Sequence, residues 1–372
     1  MDVSTVERDL ENAGYEVHNQ VTSFPGDISH LLFEATIFQR DSGEVPVYKI
    51  VRYESDLEKG GRESVYGGQI SLQREAAIYD LARKQGLPVT STWGPHKGSE
   101  RDFLVTLKPE GVTWKKYVDE VSIKGTKKER HFFILDQLGA YLARAHQVEF
   151  AMFGDVMPSG VDPHEGHQDY HHRLAEVVKR NLANPAHQEF FDERQMGLME
   201  SYFSHKLIEH KISAKGNEKP VLVLANVHRG DVYVDNSDSN WEKKGKIVQM
   251  DGFNFAQAAP SATEFATVFL QITDTSIAGV EETQKRLLDA YRANGGTVDL
   301  DNPRSRLQVE ILTANHFLRA ATVYSSMKLP NGKPDEMRRE WGRAFKEDIL
   351  TQIVFNSRIH YDLNSKLLNQ KK

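Results

Sequence analysis

The chain has 372 residues, of which 39% are hydrophobic and 27% charged, with a formal net charge of −6 and no cysteine. That length suits about two to three domain-sized units with a sizeable core. The acidic balance argues against a dedicated nucleic-acid binder, which carries a basic face, and leaves a cationic small molecule open as substrate. Without cysteine, disulfides, thiolate nucleophiles and cysteine metal sites are excluded.

The opening "MDVSTVERDLENAG" reads as a polar helix, with neither the basic nor the apolar region of a signal peptide. No apolar run approaches the roughly 18 residues of a membrane span. The expectation is a cytoplasmic protein. "HLLFEATIFQR" and "VPVYKIVRY" alternate about a "DSG" turn, the pattern of a hairpin. "ISLQREAAIYDLARKQGLPV" puts Ile70, Ala77, Ile78 and Leu81 on one helix face, with Gly86 as the stop. "RDFLVTLKPEG" reads as a further strand ending at Pro109.

The pattern then becomes helical. "KERHFFILDQLGAYLARAHQVEF" and "DYHHRLAEVVKRNLAN" are amphipathic helices. Three short strands follow: "PVLVLA", "DVYVD" and "GKIVQMD". From Thr263 onward nearly every stretch is helical. The reading is an α+β, two-lobed chain, with a small β-rich lobe over residues 1–108 and a larger, mainly helical lobe over 109–372. Clefts between lobes commonly take ligands.

Several stretches carry chemistry in a recognisable order. "SFPGDISHLLF" is a glycine turn before a strand, "VYKI" places Lys49 on the second hairpin strand, and Glu75 lies in the next helix. "FLVTLKPEGVTW" runs between the lobes, "LGAYLARAHQVEF" ends near His146, and "MDGFNFA" carries Asp251 after a strand. In this order they resemble the aminoglycoside phosphotransferase and choline kinase-like superfamily, whose fold is protein-kinase-like. The resemblance runs by motif from about Phe24 to about Leu270. It implies a phosphate loop with Gly26 and Ser29, and Lys49 at the phosphates, held by Glu75. It also implies an adenine edge met by the backbone from Thr106 to Lys108. Its co-substrate is ATP with Mg2+. His146 reads better as a buried, satisfied histidine than as a catalytic group.

"VLVLANVHRGDVYVDN" departs from the family's catalytic loop, and two registers are open. In one, Asp231 is the catalytic acid and Asn236 a metal ligand; "VYV" then lies inside the loop and no strand follows. In the other, "VYVD" is the strand after the loop, "GKIVQMD" its partner, and His228 and Gly230 match the loop's second histidine and its glycine. A strand must bury one face, and the hydrophobic pattern favours the second register. Asn226 then stands where the family has its catalytic aspartate, and Asp231 where it has a metal-binding asparagine. Asp231 and Asp251 would hold the cation. Asn226 can orient a hydroxyl but takes no proton, with His228 as a neighbouring candidate base.

"DPHEGHQDYHHR" contains His164, His167, His171 and His172. On a helix, positions 164, 167 and 171 would share a face, but the spacing is not a zinc-protease motif. A solvated helix start is the preferred reading. Glu264 and Asp274 are candidate acids of the helical lobe. The expected function is ATP-dependent phosphotransfer to a hydroxyl of a small molecule, slowed by Asn226. The alternative is a kinase fold without phosphotransfer, either a nucleotide-binding pseudokinase or a cleft turned to other chemistry. The sequence leaves the substrate and the oligomeric state open.

Overall fold

The computed structural model describes residues 1–24, 30–40, 47–54, 71–120, 125–214, 218–225, 227–236, 245–326, 336–337 and 339–351. The expected Gly26, Ser29 and Asn226 lie outside them. The chain divides into two compact units, one made of Met1–Ser64, Gly68–Gln168 and Glu218–Val298, the other chiefly of Asp169–Asn217 and Asp299–Lys372. The division expected at 108/109 falls inside the first unit, which holds both the N-terminal sheet and the hairpin that carries Asp231 and Asp251.

The first unit opens with α1 (Val3–Asn12), capped by the Asp2 carboxylate on the Thr5 N–H at 2.8 Å. Then come β1 (Tyr15–Val17), β2 (Thr22–Phe24), β3 (His30–Gln39), β4 (Val47–Glu54), α2 (Leu72–Lys84), β5 (Thr92–His96) and β6 (Phe103–Leu107). The strands pair antiparallel in the order β1-β3-β4-β6-β5, with β2 also on β3. The expected hairpin is β3–β4, with Ala35 opposite Lys49 and Leu32 opposite Arg52. Side chains alternate across a strand. Val51 and Tyr53 of β4 therefore join Val6, Leu10, Tyr15 and Phe33 in one core, while Arg52 points to the other face. Ser71 caps α2 and Gly86, at φ +70°, follows its end, as the sequence indicates.

Next come β7 (Val112–Thr113), α3 (Trp114–Asp119) and α4 (Lys127–Ala145). The capping box of Thr126 and Glu129 starts α4. A two-strand pair, β8 (Val156–Met157) and β9 (Gly160–Val161), precedes the second unit.

The second unit is helical: α5 (Tyr170–Leu182), α6 (Pro185–Phe190), α7 (Glu193–Ile212) and, later in the chain, α10 (Pro303–Ser326). Residues 339–351 are helical too. Leu174, Val178, Met199, Phe203, Ile311 and Leu318 fill its core. Asp169 caps α5 and pairs with Arg304 at 3.0 Å, and Lys206 meets Glu310 at 3.1 Å.

Back in the first unit, β10 (Val221–Val223) pairs with β13 (Gln257–Ala259), and β11 (Val232–Val234) pairs with both β12 (Ile247–Met250) and β7. α8 (Phe265–Ile272) and α9 (Val280–Ala293) follow. α9 lies close on α4 at Gly139, where a Cβ would stand 2.7 Å from the Tyr291 nitrogen. Among the described residues no helix is long and apolar enough to cross a membrane.

Candidate active site

The β11–β12 hairpin pairs "VYV" with "IVQM", the strands that the second register expects. Val232 stands opposite Met250, and the Asp251 N–H donates to the Asp231 carbonyl at 2.9 Å. Asp231 and Asp251 therefore flank the same end of the hairpin. Asn236 lies beyond the other end of β11 on exposed chain, five positions on at about 3.3 Å per strand residue. Asp231, not Asn236, is brought to Asp251. Gly252 completes the approach: it has φ +81°, and a Cβ there would run into the Asp231 carboxylate.

Asp251 is nearly buried and strongly engaged. Its Oδ2 accepts from Arg52 Nη2, and its Oδ1 accepts from the Tyr79 hydroxyl and, at 2.8 Å, from the Gly252 N–H. Burial would raise the Asp251 carboxyl, but the Arg52 charge outweighs it and holds it below its ordinary value. Burial likewise works against the Arg52 cation, and Asp251, Tyr79 and Glu75 together keep it well above its usual range. Arg52 also donates through Nη1 to Glu75 Oε1 at 3.0 Å and through Nε to Thr106 Oγ1 at 3.3 Å. One guanidinium thus ties β4 to α2 and to the end of β12. Tyr79 packs its ring on Phe253, with centroids 5.2 Å apart, and burial, then Asp251, keeps it a phenol.

This corrects the expected Lys49–Glu75 pair. Lys49 is three residues before Arg52 and, by strand alternation, on the opposite face of β4. There it is fully buried, with Nζ 4.0 Å from the centroid of the Trp93 ring and 5.7 Å from that of Tyr15. The sequence does contain the signal: "VYKIVRY" offers two cations of opposite parity, and the parity of buried Val51 and Tyr53 sends Lys49 into the sheet core. Thr106 is buried and braces Arg52; Lys108 is exposed, with Glu34 at 2.6 Å.

His228 is fixed by its neighbours. The Gly230 N–H donates to Nδ1 at 2.9 Å, so the ring proton sits on Nε2 and donates to Asp231 Oδ2 at 2.9 Å. Both His228 nitrogens are thus engaged, Nε2 on the Asp231 carboxylate. Tyr233 is pushed up to about 12 by burial and then by Asp251 and Asp231.

Glu264 holds the chain ahead of this loop. It is fully buried and accepts N–H donors from Leu224 at 2.7 Å and Ala225 at 2.9 Å, with His146 Nε2 at 3.4 Å. His146 Nδ1 lies 2.7 Å from the Tyr291 hydroxyl, so its polar atoms are satisfied as expected. Ala225 has φ +69°, a left-handed conformation that costs about 1–3 kcal/mol in a non-glycine residue. The other expected acid, Asp274, pairs with Arg229 Nη1 at 2.7 Å. Arg229 is a loop residue that the sequence reading passed over.

The histidine stretch forms no cluster. His164 and His167 lie outside any helix, and α5 starts at Tyr170. Among the described residues no group of three or more His, Cys, Asp or Glu could hold a metal.

No protein-family model matches the chain, and no curated protein matches it in sequence. Solved structures do match in shape. A macrolide 2′-phosphotransferase type I superposes with a TM-score of 0.51 at 14% identity, over 92% of this chain and 96% of that one. The fold is protein-kinase-like. An aminoglycoside-3′-phosphotransferase of type VIII gives a TM-score of 0.47 at 14% identity, over 82% of this chain and 98% of that one. An aminoglycoside phosphotransferase from Streptomyces rimosus gives 0.45 at 14% identity, over 83% and 96%. A further structure of that protein is a complex with ADP and streptomycin.

Asp231 and Asp251, at one end of the hairpin, offer oxygen donors of the kind a divalent cation takes. Glu75 and Asp251 bring two carboxylates against the single guanidinium of Arg52, and Asp231 stands at the same hairpin end. Asp251 retains about one of its four lone-pair sites, and Asp231 adds a second hard oxygen donor. Magnesium is commonly held by one or two carboxylates, with phosphate oxygens and water completing the shell.

Proposed function

We propose that the chain is an ATP-dependent phosphotransferase acting on a hydroxyl group of a small molecule. The observation that carries this reading is Arg52 bridging Glu75 and Asp251, with Asp231 at the same hairpin end, in a protein-kinase-like fold. Residues 1–108 would hold the nucleotide and 109–372 the acceptor. Arg52 would meet the phosphates, held in place by Glu75 and Thr106. Asp231 and Asp251 would hold Mg2+, which would supply positive charge to the phosphate groups.

In the transfer, the acceptor oxygen bonds to the γ-phosphorus as the bond to the β–γ bridging oxygen breaks, and ADP leaves. Asn226 would orient the acceptor hydroxyl, whose proton passes to solvent or to the phosphate oxygens. Most of the catalysis would come from positioning and charge neutralisation, because the transition state is loose.

The test is an ADP-release assay with ATP, Mg2+ and a panel of hydroxyl compounds, read beside the mass of the phosphorylated product. Acceptor-dependent ADP release is the expected result; nucleotide binding without any product on a broad panel would reject phosphotransfer. That outcome would favour the second reading, a nucleotide binder without transfer, which draws support from His228, whose two nitrogens are already engaged.

A further inference from the structure

Arg229 and Asp274 differ in what they leave unfilled. Asp274 Oδ2 accepts from Arg229 Nη1, and its Oδ1 accepts from the Ser276 hydroxyl at 2.6 Å and the Ser276 N–H at 3.1 Å. Three of its roughly four lone-pair sites are taken. Arg229 has five N–H donors, and among the described residues its side chain makes only the one bond, through Nη1. The side chain keeps 17% of its surface exposed. Its Nε and Nη2 groups form the side edge of the guanidinium, a fork that matches two oxygens of one carboxylate or phosphate. The Asp274 bond at Nη1 leaves that edge without a hydrogen-bond partner among the described residues.

The neighbouring rings have the same surplus. Trp114 and His131 are fully buried with ring centroids 5.1 Å apart. Among the described residues, neither Trp114 Nε1 nor either nitrogen of His131 has a hydrogen-bond partner. The backbone beside Trp114 meets the loop: the N–H of Lys115 donates to the Arg229 carbonyl at 3.4 Å. His131 is held down to about 4 by burial and then by the Arg229 charge. A buried donor without an acceptor costs about 1–3 kcal/mol. Those rings are fully buried, so the donors that a ligand can meet are those of Arg229, and a ligand that suits them brings oxygens and negative charge.

We propose that the acceptor molecule carries an oxyanion beside the hydroxyl to be phosphorylated, and that Arg229 binds it through its Nε–Nη2 edge. This rests on the phosphotransferase reading and narrows its substrate to hydroxy acids or phosphate-bearing alcohols. Arg229 stands two residues before Asp231 and three after Asn226, so an anion held there keeps the rest of the acceptor close to the loop. Asp274 acts as the positioning residue of Arg229.

The experiment is calorimetric titration of the full chain with matched pairs: a hydroxy acid and its methyl ester, and a sugar phosphate and its parent sugar. Expected is binding of an anionic member at least about tenfold tighter than its neutral counterpart, about 1.4 kcal/mol; which pair shows it separates carboxylate from phosphate. Arg229→Gln should abolish that preference, and Arg229→Lys should restore only part of it, since an ammonium has the charge without the fork. Equal binding within both pairs, or an intact preference in a folded Arg229→Gln protein, overturns the proposal. ATP titrated in the same preparation separates the two levels. ATP binding without anion preference removes this inference alone, and no ATP binding at all removes the phosphotransferase reading with it.

Discussion

Arg52 and Asp251 are 199 residues apart in sequence and joined by a direct ion pair, Nη2 to Oδ2. The pair needs three elements at once: β4 to present Arg52, α2 to bring Glu75 to its other nitrogen, and the β11–β12 hairpin to deliver Asp251. Breaking a buried pair by removing one partner costs about 3–5 kcal/mol, because the remaining charge stays buried. The same bond that steadies the fold therefore gathers the proposed phosphate site.

Arg52 and Lys49 should separate cleanly by mutation. Arg52→Gln is expected to weaken ATP binding by at least about tenfold, or about 1.4 kcal/mol, and to lower the melting temperature. Arg52→Lys should recover part of both. Lys49→Met retains the apolar stem in the sheet core and should leave ATP affinity within about twofold, under about 0.5 kcal/mol. Calorimetric titration checks both; a large loss of affinity in a folded Lys49→Met protein would put Lys49 back at the phosphates.

Glu264 is expected to control the loop without touching substrate. Glu264→Gln places an NH2 group where the Leu224 and Ala225 N–H groups need an acceptor, so one buried donor is left unmet at a cost of about 1–3 kcal/mol. Turnover should fall while ATP affinity, set by Arg52, stays near wild type. Ala225→Gly removes a left-handed non-glycine residue and should restore part of the lost stability in the Glu264→Gln background. Urea unfolding of the four proteins of this cycle gives the coupling.

The elements above were legible because periodicity reports burial. The β3–β4 hairpin, α2, α4 and the β11–β12 pair all follow from alternation, helical spacing or turn residues. The choice of Asp231 over Asn236 was also legible, since "VYV" had to be a strand. The partner of Glu75 was not legible: the expectation gave it Lys49, and the structure gives it Arg52. Lys49 and Arg52 share a strand, and the motif drew attention to the lysine, while the parity set by Val51 and Tyr53 decided the face. Arg229 was missed for a different reason. Nothing local marks an arginine as under-bonded, because the state of its donors depends on Asp274, 45 residues away. α7 went unread because its apolar residues are spread around the helix, with Leu198, Ile208 and Ile212 exposed.

Asp274 gives a prediction in pH. The Ser276 hydroxyl, against the opposing effect of burial, and then Arg229 lower its carboxyl from 3.8 to about 2. A folded-state value below the unfolded one stabilises the fold above the unfolded pKa, and that contribution is lost as pH falls through the folded pKa. Asp274→Asn should therefore cost about 1–2 kcal/mol at neutral pH, after allowance for its partial exposure. The difference from wild type should shrink between about pH 4 and pH 2. Urea midpoints across that range check it, and a difference independent of pH would mean that packing, not charge, sets the effect.

The last prediction concerns Asn226. In sequence it follows Ala225, which is held on Glu264, and comes five residues before Asp231, which lies beside Gly252. That is the interval from catalytic acid to metal ligand in the family that the sequence resembles. If Asn226 occupies the acid's position, Asn226→Asp supplies a group able to accept the hydroxyl proton. Turnover should then rise by no more than about 10²–10⁴-fold, the usual worth of a positioned base. The new carboxylate would join Glu75, Asp231 and Asp251, so repulsion among them grows unless a cation is bound. The Mg2+ requirement should tighten together with the gain in rate. Both are read in one experiment, steady-state phosphotransfer against Mg2+ concentration for the two proteins. A gain in rate with no change in Mg2+ dependence would place the side chain at the acceptor but away from the metal. No change in either would show that Asn226 is not at the catalytic position, and that the loop orients its acceptor through some other residue.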